Sequence, residues 1–166
     1  MTFRIPAGKH RARPWRFGLW FDKNSFAWKV KFTESCRYDL QSQDQFDTNK
    51  LIGIGYLPGH HKESARFGWR YDTVAGLIAL DAYCYVRGQR VIKHIAWCEI
   101  GKEYRLRLKV LDTSYYFDVY EPDAVKANGI VTVEHFHEKK LKYRLGVFFG
   151  GNKVAPHEIK IELEKL

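Results

Sequence analysis

Arg66 and Arg70, with Gly68 between them, alternate with a short aromatic series, Phe67, Trp69 and Tyr71. At period two this spacing puts both guanidiniums on one face of a strand and the three rings on the other. Arg105, Arg107 and Lys109 repeat the pattern against Tyr104, Leu106, Leu108 and Val110, and Tyr83 and Tyr85 alternate with Ala82 and Cys84. Guanidinium forks match planar carboxylates and phosphates, while tyrosine rings match the faces of sugars or bases. If these faces belong to one concave sheet, Arg66, Arg70, Arg105 and Arg107 would hold the oxygens of a compact anionic ligand. Tyr83 and Tyr85 would then sit on its ring. The structural alternative is an ordinary solvated face, where Lys and Arg also discourage edge pairing.

Two loops add candidates. Lys9, Arg11, Arg13 and Arg16 surround Trp15 in a basic N-terminal arm, residues 1–16. Such an arm can close over a ligand, with Trp15 stacking on a ring and Arg13 pairing with phosphate oxygens. His60 and His61 follow Leu57, Pro58 and Gly59 in a polar loop between strands, where binding groups commonly sit. His135 and His137 would share a strand face as two metal ligands do, but Glu134 and Glu138 would point the other way. Neither a metal nor another cofactor is therefore expected. Cys36, Cys84 and Cys98 cannot pair completely and form no C-x-x-C motif, so buried free thiols are expected.

The charge balance points to anionic partners. The 166 residues carry 28 Lys and Arg against 19 Asp and Glu, a net charge of +9. Phe, Trp and Tyr make up 16% of the chain, more than a sandwich core requires, and the surplus suits ring recognition or a protein interface, with a homo-oligomer or a host protein as partner. Nucleic acid is the less expected partner: the sequence offers no helix for a major groove, no RNP-like aromatic run and no zinc-finger spacing. Acidic residues interspersed along nearly every strand favour a compact pocket over a polyanion track. No apolar run approaches the ~20 residues that span a bilayer, and the start lacks an apolar signal core. No membrane partner and a cytoplasmic location are expected.

The elements that must position these groups are strands. Phe26, Trp28, Val30 and Phe32 alternate with polar or small residues, as do Tyr115, Phe117 and Val119, and Ile159, Ile161 and Leu163. Leu77 to Val86 and Val91 to Ile100 are apolar on both faces and are expected as central strands joined by a tight turn over Arg87 to Arg90. Leu51 to Leu57, with Gly53 and Gly55, is expected as a strand where backbone or ligand approaches closely. In the closing run, Tyr143, Leu145, Val147 and Phe149 are expected on one face, before a Gly150-Gly151-Asn152 turn. No segment shows helical spacing, and about ten strands fit the chain.

Alternating strands, the central hairpin and the closing run from Tyr143 to Gly151 resemble the concanavalin-like jelly roll of legume-type lectins, laminin-G modules and several polysaccharide lyases. This resemblance implies an all-β fold, an antiparallel β-sandwich forming one domain over residues 1–166. Lyases on that fold place a Gln-x-His pair, a Tyr and an Arg on the concave sheet; here there is no Gln-x-His, and no Gln follows the Tyr/Phe segment. The Glu-x-Asp-x-x-Glu carboxylates of glycosidases on this architecture are missing too. Phe32 to Leu40, Leu51 to Gly53 and Ser64 to Tyr71 also resemble short uncharacterised proteins of phages of gut bacteria and of their hosts.

Together these readings give a non-catalytic binding protein for a compact anionic ligand. In its sharpest form this is a phage-encoded sponge that sequesters a nucleotide-derived immune signal in the cytoplasm of the infected host. The alternatives are a glycan-binding or polysaccharide-lyase-like domain acting on acidic glycans, and a virion or host-factor-blocking interaction module.

Overall fold

Strict alternation of apolar and polar side chains produces two sheets, each burying one face against the other. The computed structural model describes residues 1–135 and 141–166. The first sheet contains β1 (Thr2–Ile5), β3 (Ser25–Phe32), β8 (Glu103–Val110), β9 (Ser114–Tyr120), β10 (Gly129–Glu134) and β12 (Ile159–Lys165). The second contains β2 (Leu19–Trp20), β4 (Asn49–Tyr56), β5 (Ser64–Asp72), β6 (Leu77–Val86), β7 (Gln89–Cys98) and β11 (Lys142–Leu145). Strand order is β1-β12-β3-β8-β9-β10 in the first and β2-β11-β4-β5-β6-β7 in the second. Every pairing is antiparallel. The fold is therefore an all-β antiparallel sandwich, and its non-strand helical content in the described residues is two short 3-10 turns, Glu34–Cys36 and Gln43–Phe46. Among the described residues no helix is long and apolar enough to cross a membrane.

Between the sheets the core is largely aromatic. Phe67 of β5 meets the ring of Phe117 at 5.1 Å and that of Trp28 at 6.3 Å, both edge-on, joining the layers near their centre. Trp69 packs edge-on against Phe149 and at a tilt against Phe32. Burying Phe67 stabilises the sandwich by roughly 1.5–3 kcal/mol before packing terms are counted. Cys36, Cys84 and Cys98 are buried free thiols, and burial pushes Cys36 and Cys98 up to about 12.

Two sequence expectations need correction, and a third falls partly outside the described residues. β7 is an edge strand of the second sheet, and Arg90, Ile92, His94 and Trp97 are exposed on it; its apolar residues look central only because one face meets the core and the other carries part of the surface aromatic set. The closing run does not keep one face. β11 ends at Leu145, and past Gly146 the chain leaves the ladder, so Val147 and Phe149 enter the core. Tyr143, opposite Gly55, and Phe148 point outward instead. Finally, His137 lies outside the described residues, while His135 is buried, stacked 4.0 Å from Tyr115 and hydrogen-bonded through Nε2 to the Leu111 carbonyl.

Candidate anion site on the outer face of the second sheet

Register places side chains from five strands in rows across the outer face of the second sheet. One row runs Leu145, Gly53, Arg66, Tyr83 and Ile92; the next runs Tyr143, Gly55, Ser64, Tyr85 and Arg90. Glycine at two positions of β4 is what lets these rows form. A Cβ on Gly55 would come within 2.8 Å of His60 Cβ and 2.9 Å of the Tyr143 ring, and one on Gly53 would collide with the Ala65 carbonyl and with Arg66. The expected close approach at this strand is thus made by Arg66, His60 and Tyr143.

Over these rows lies a cleft of about 730 Å³, walled by the N-terminal arm, the loop bearing His60 and His61, and the turn after Phe149. The arm is held there by its backbone: the Ala12 N–H donates to the Val147 carbonyl at 3.2 Å and the Phe149 N–H to the His10 carbonyl at 2.7 Å. His10 also stacks on Phe148 at 5.0 Å. The cations of the lining are Arg11, Arg16, Lys50, Arg66, Arg90 and Arg144, and its described lining includes neither Asp nor Glu.

Arg66 is the centre of this charge. It is only 7% exposed, its Nε is buried without a hydrogen-bond partner, and no carboxylate among the described residues forms an ion pair with it. Its guanidinium sits 5.7 Å from the centroid of Tyr83, a cation–π contact. Burial pulls its pKa down from the usual arginine value. Lys50 lies beside it, 5.1 Å from the Tyr83 ring, and donates Nζ–H to the Gly150 carbonyl at 2.8 Å. Burial, then the neighbouring Arg66 charge, lower Lys50 to about 8.

At the other end, the His60 backbone N–H donates to the Tyr143 hydroxyl at 2.9 Å, and His60 Nδ1 lies 2.9 Å from the same oxygen. Burial and the nearby positive charges push His60 down to about 4, so it is neutral near pH 7. With Nδ1 unprotonated, the phenol donates to it while accepting from the backbone N–H. His61 lies edge-on to Tyr85 at 5.2 Å. The arrangement offers a buried positive anchor, tyrosine faces and a fixed phenol–imidazole pair.

Of the residues expected from sequence, the cleft brings together Arg66, Tyr83, Tyr85, His60, His61 and Trp15. It does not bring in the others. Arg70 shares the face but lies 3.9 Å from Asp81, whose other oxygen is 3.1 Å from His94 Nδ1. Arg13 is tied by backbone hydrogen bonds to Arg4 and is outside the lining. Arg105 and Arg107 stand on β8 in the opposite sheet, so a shared concave sheet is ruled out for them. There Arg107 forms a bidentate pair with the fully buried Asp118 and a hydrogen bond to Tyr120. Lys29 and Lys31 on that face pair with Glu103 and Glu162, the solvated ion-paired surface that was the structural alternative.

Sequence reading missed Lys50, Arg90, Tyr143 and Arg144 as site residues. Tyr143 stands at the start of the closing run and Lys50 just before the expected Leu51 to Leu57 strand, inside β4 as it forms, but only the register shows that they share a face.

No protein-family model matches the chain, and no curated protein matches it in sequence. Its fold is similar to that of several solved structures. A functionally unknown protein of Saccharomyces cerevisiae aligns with a TM-score of 0.61 at 9% identity, over 99% of this chain and 86% of that one. The family 7 alginate lyase A1-II′ in complex with product aligns at 0.59 and 12% identity, over 100% and 80%. The alginate lyase of Klebsiella pneumoniae aligns at 0.55 and 8% identity, over 86% of this chain and 59% of the enzyme, so the chain spans less than two-thirds of that lyase. These likenesses identify the sandwich as a jelly roll of the concanavalin-like kind.

Proposed function

We propose that the chain binds an acidic sugar unit in the cleft of the second sheet, with Arg66 holding its carboxylate. The observation that carries this is Arg66 itself: a buried guanidinium with an unpartnered Nε and no counter-ion among the described residues, facing a cleft whose other described ionised groups are also positive. An isolated buried charge costs several kcal/mol, and an incoming carboxylate in bidentate contact offsets that cost. Tyr85, half-buried, supplies a ring face beside the anchor, as a pyranose requires, while the buried Tyr83 backs the guanidinium. The jelly roll shared with alginate lyases agrees with a glycan ligand.

Tyr143 and His60 are the pair that would carry a proton if the bound glycan were also cleaved by elimination. Release of an unsaturated uronate, abolished in Tyr143→Phe, would show that the cleft is catalytic as well as binding.

A second reading is a cytoplasmic, phage-encoded sponge for a nucleotide-derived immune signal. The exposed Trp15 ring beside Arg16 at the cleft mouth favours it, since a base could stack there with phosphates at Arg66 and Lys50. Calorimetric titration with a uronate disaccharide and with cyclic dinucleotides separates the two. Binding of the disaccharide alone, weakened at least about 30-fold in Arg66→Met, supports the glycan site; binding of the dinucleotide alone replaces it with the sponge.

A further inference from the structure

Register carries the cleft face out to the free edge of the second sheet. Leu19 on β2 lies opposite Tyr143, which lies opposite Gly55, so Leu19 continues the row that bears Tyr85 and Arg90. Upstream along the chain, Phe17 and Trp15 line the cleft, with ring centroids 6.0 Å apart. Trp15, Phe17 and Leu19 are 69%, 64% and 48% exposed, whereas Trp20 turns inward onto Phe26. Large apolar side chains at every second position thus stand in water on a face that is otherwise cationic. The stretch is pinned at both ends, by Ala12 to the Val147 carbonyl and by the Arg144 N–H to the Gly18 carbonyl at 2.9 Å. It forms an exposed aromatic ridge leading away from the anchor, and such patches mark binding surfaces.

A compact anion seated at Arg66 would leave this ridge in water. A chain of sugars would not, because each pyranose has an apolar C–H face that stacks on Trp or Phe and an acidic group that can reach a cation. Arg16 lies between the two rings in sequence, and Arg144 lies next to Tyr143; both line the cleft. We propose that the cleft takes a stretch of an acidic polysaccharide, with one uronate at Arg66 and the following units running out across Trp15, Phe17 and Leu19. This rests on the acidic-sugar reading and adds that the ligand is a polymer segment with a direction.

Titration of the protein with sized oligouronates, from disaccharide to hexasaccharide, tests it. The hexasaccharide is expected to bind roughly tenfold or more tightly than the disaccharide, a difference of about 1.4 kcal/mol. In the double variant Trp15→Ala, Phe17→Ala that advantage should shrink to about twofold, while a urea-unfolding midpoint close to the wild type reports an intact fold, as expected for side chains that are 69% and 64% exposed. A wild-type affinity independent of length, or a length gain that survives loss of both rings, overturns the ridge and leaves the Arg66 anchor standing. Failure of every oligouronate to bind overturns the anchor reading itself, and the ridge with it.

Discussion

Arg66 and Tyr83 are directly opposed on adjacent strands, with the guanidinium 5.7 Å from the ring centroid and its Nε sealed from water without a partner. A desolvated cation–π contact is worth about 2 kcal/mol, while the effective penalty for burying an ion is several. The pair therefore leaves a deficit that an anion can offset. Lys50 and Arg90 deepen it, since both add positive charge around the same point.

Arg66→Met should make the protein more stable and less able to bind. Replacing an uncompensated buried charge by an apolar side chain of similar length is expected to raise unfolding free energy by about 1–3 kcal/mol. Urea denaturation checks the first effect and uronate titration the second. A variant that loses stability and keeps its affinity would show that Arg66 is a structural residue.

The two glycines of β4 should separate fold from site. At Gly53 the new methyl meets backbone of β5, which cannot give way locally, so Gly53→Ala should cost about 2 kcal/mol or more in thermal or urea unfolding. At Gly55 it meets the His60 and Tyr143 side chains at 2.8 and 2.9 Å. The His60 Cβ is fixed to its loop backbone and the Tyr143 hydroxyl is hydrogen-bonded to His60, so Gly55→Ala should displace this loop, at a smaller cost in unfolding than Gly53→Ala because no strand backbone is in the way, while weakening uronate binding.

Ligand affinity should fall as pH rises through 8. Lys50 titrates near 8 in the folded protein and near 10.5 when unfolded, so above pH 8 the cleft loses one of its cations. Stability moves the opposite way. Between pH 8 and 10.5 the unfolded chain binds more protons at this position than the folded one, so the Lys50 contribution becomes more favourable as pH rises. His60 acts at the other end of the range: with a folded value of about 4 against 6.5 unfolded, its contribution is lost as pH falls from 6.5 toward 4. Lys50→Met should flatten the alkaline limb of the binding profile, and a limb that persists assigns it to another group.

Arg107→Ala should leave ligand binding unchanged and lower stability. The substitution strips a bidentate partner from Asp118, which is fully buried, whereas Arg107 is 39% exposed in its side chain. Water can reach part of the vacated site, so a loss of about 1–2 kcal/mol is expected, less than for a fully enclosed pair. A loss of uronate affinity in this variant would place part of the site on the first sheet.

The architecture was readable because alternation is strict. Phe26 to Phe32 and Tyr104 to Val110 carry the two-residue period, and both form strands with the apolar side inward. The outward face of Arg66 was equally readable, since Phe67 and Trp69 demand the core. Alternation assigns faces but not sheets, which is why Arg105 and Arg107 looked equivalent to Arg66 and stand on the opposite side of the sandwich. The same limit hid Lys50, Tyr143 and Arg90, which reach the cleft through cross-strand register between segments distant in sequence. Arg70 shows a further one: its face was correctly read, but its partner, Asp81 on the next strand, neutralises it.

The central claim is that Arg66 makes this cleft a carboxylate site. Its most direct test is titration of the wild-type protein with a uronate oligosaccharide and with the same oligosaccharide after reduction of its carboxyl groups to alcohols. The acidic form should bind at least about 30-fold more tightly, the equivalent of roughly 2 kcal/mol or more from one desolvated charge pair, and Arg66→Met should erase the difference. Equal affinity of the acidic and reduced forms for the wild-type protein would contradict the claim.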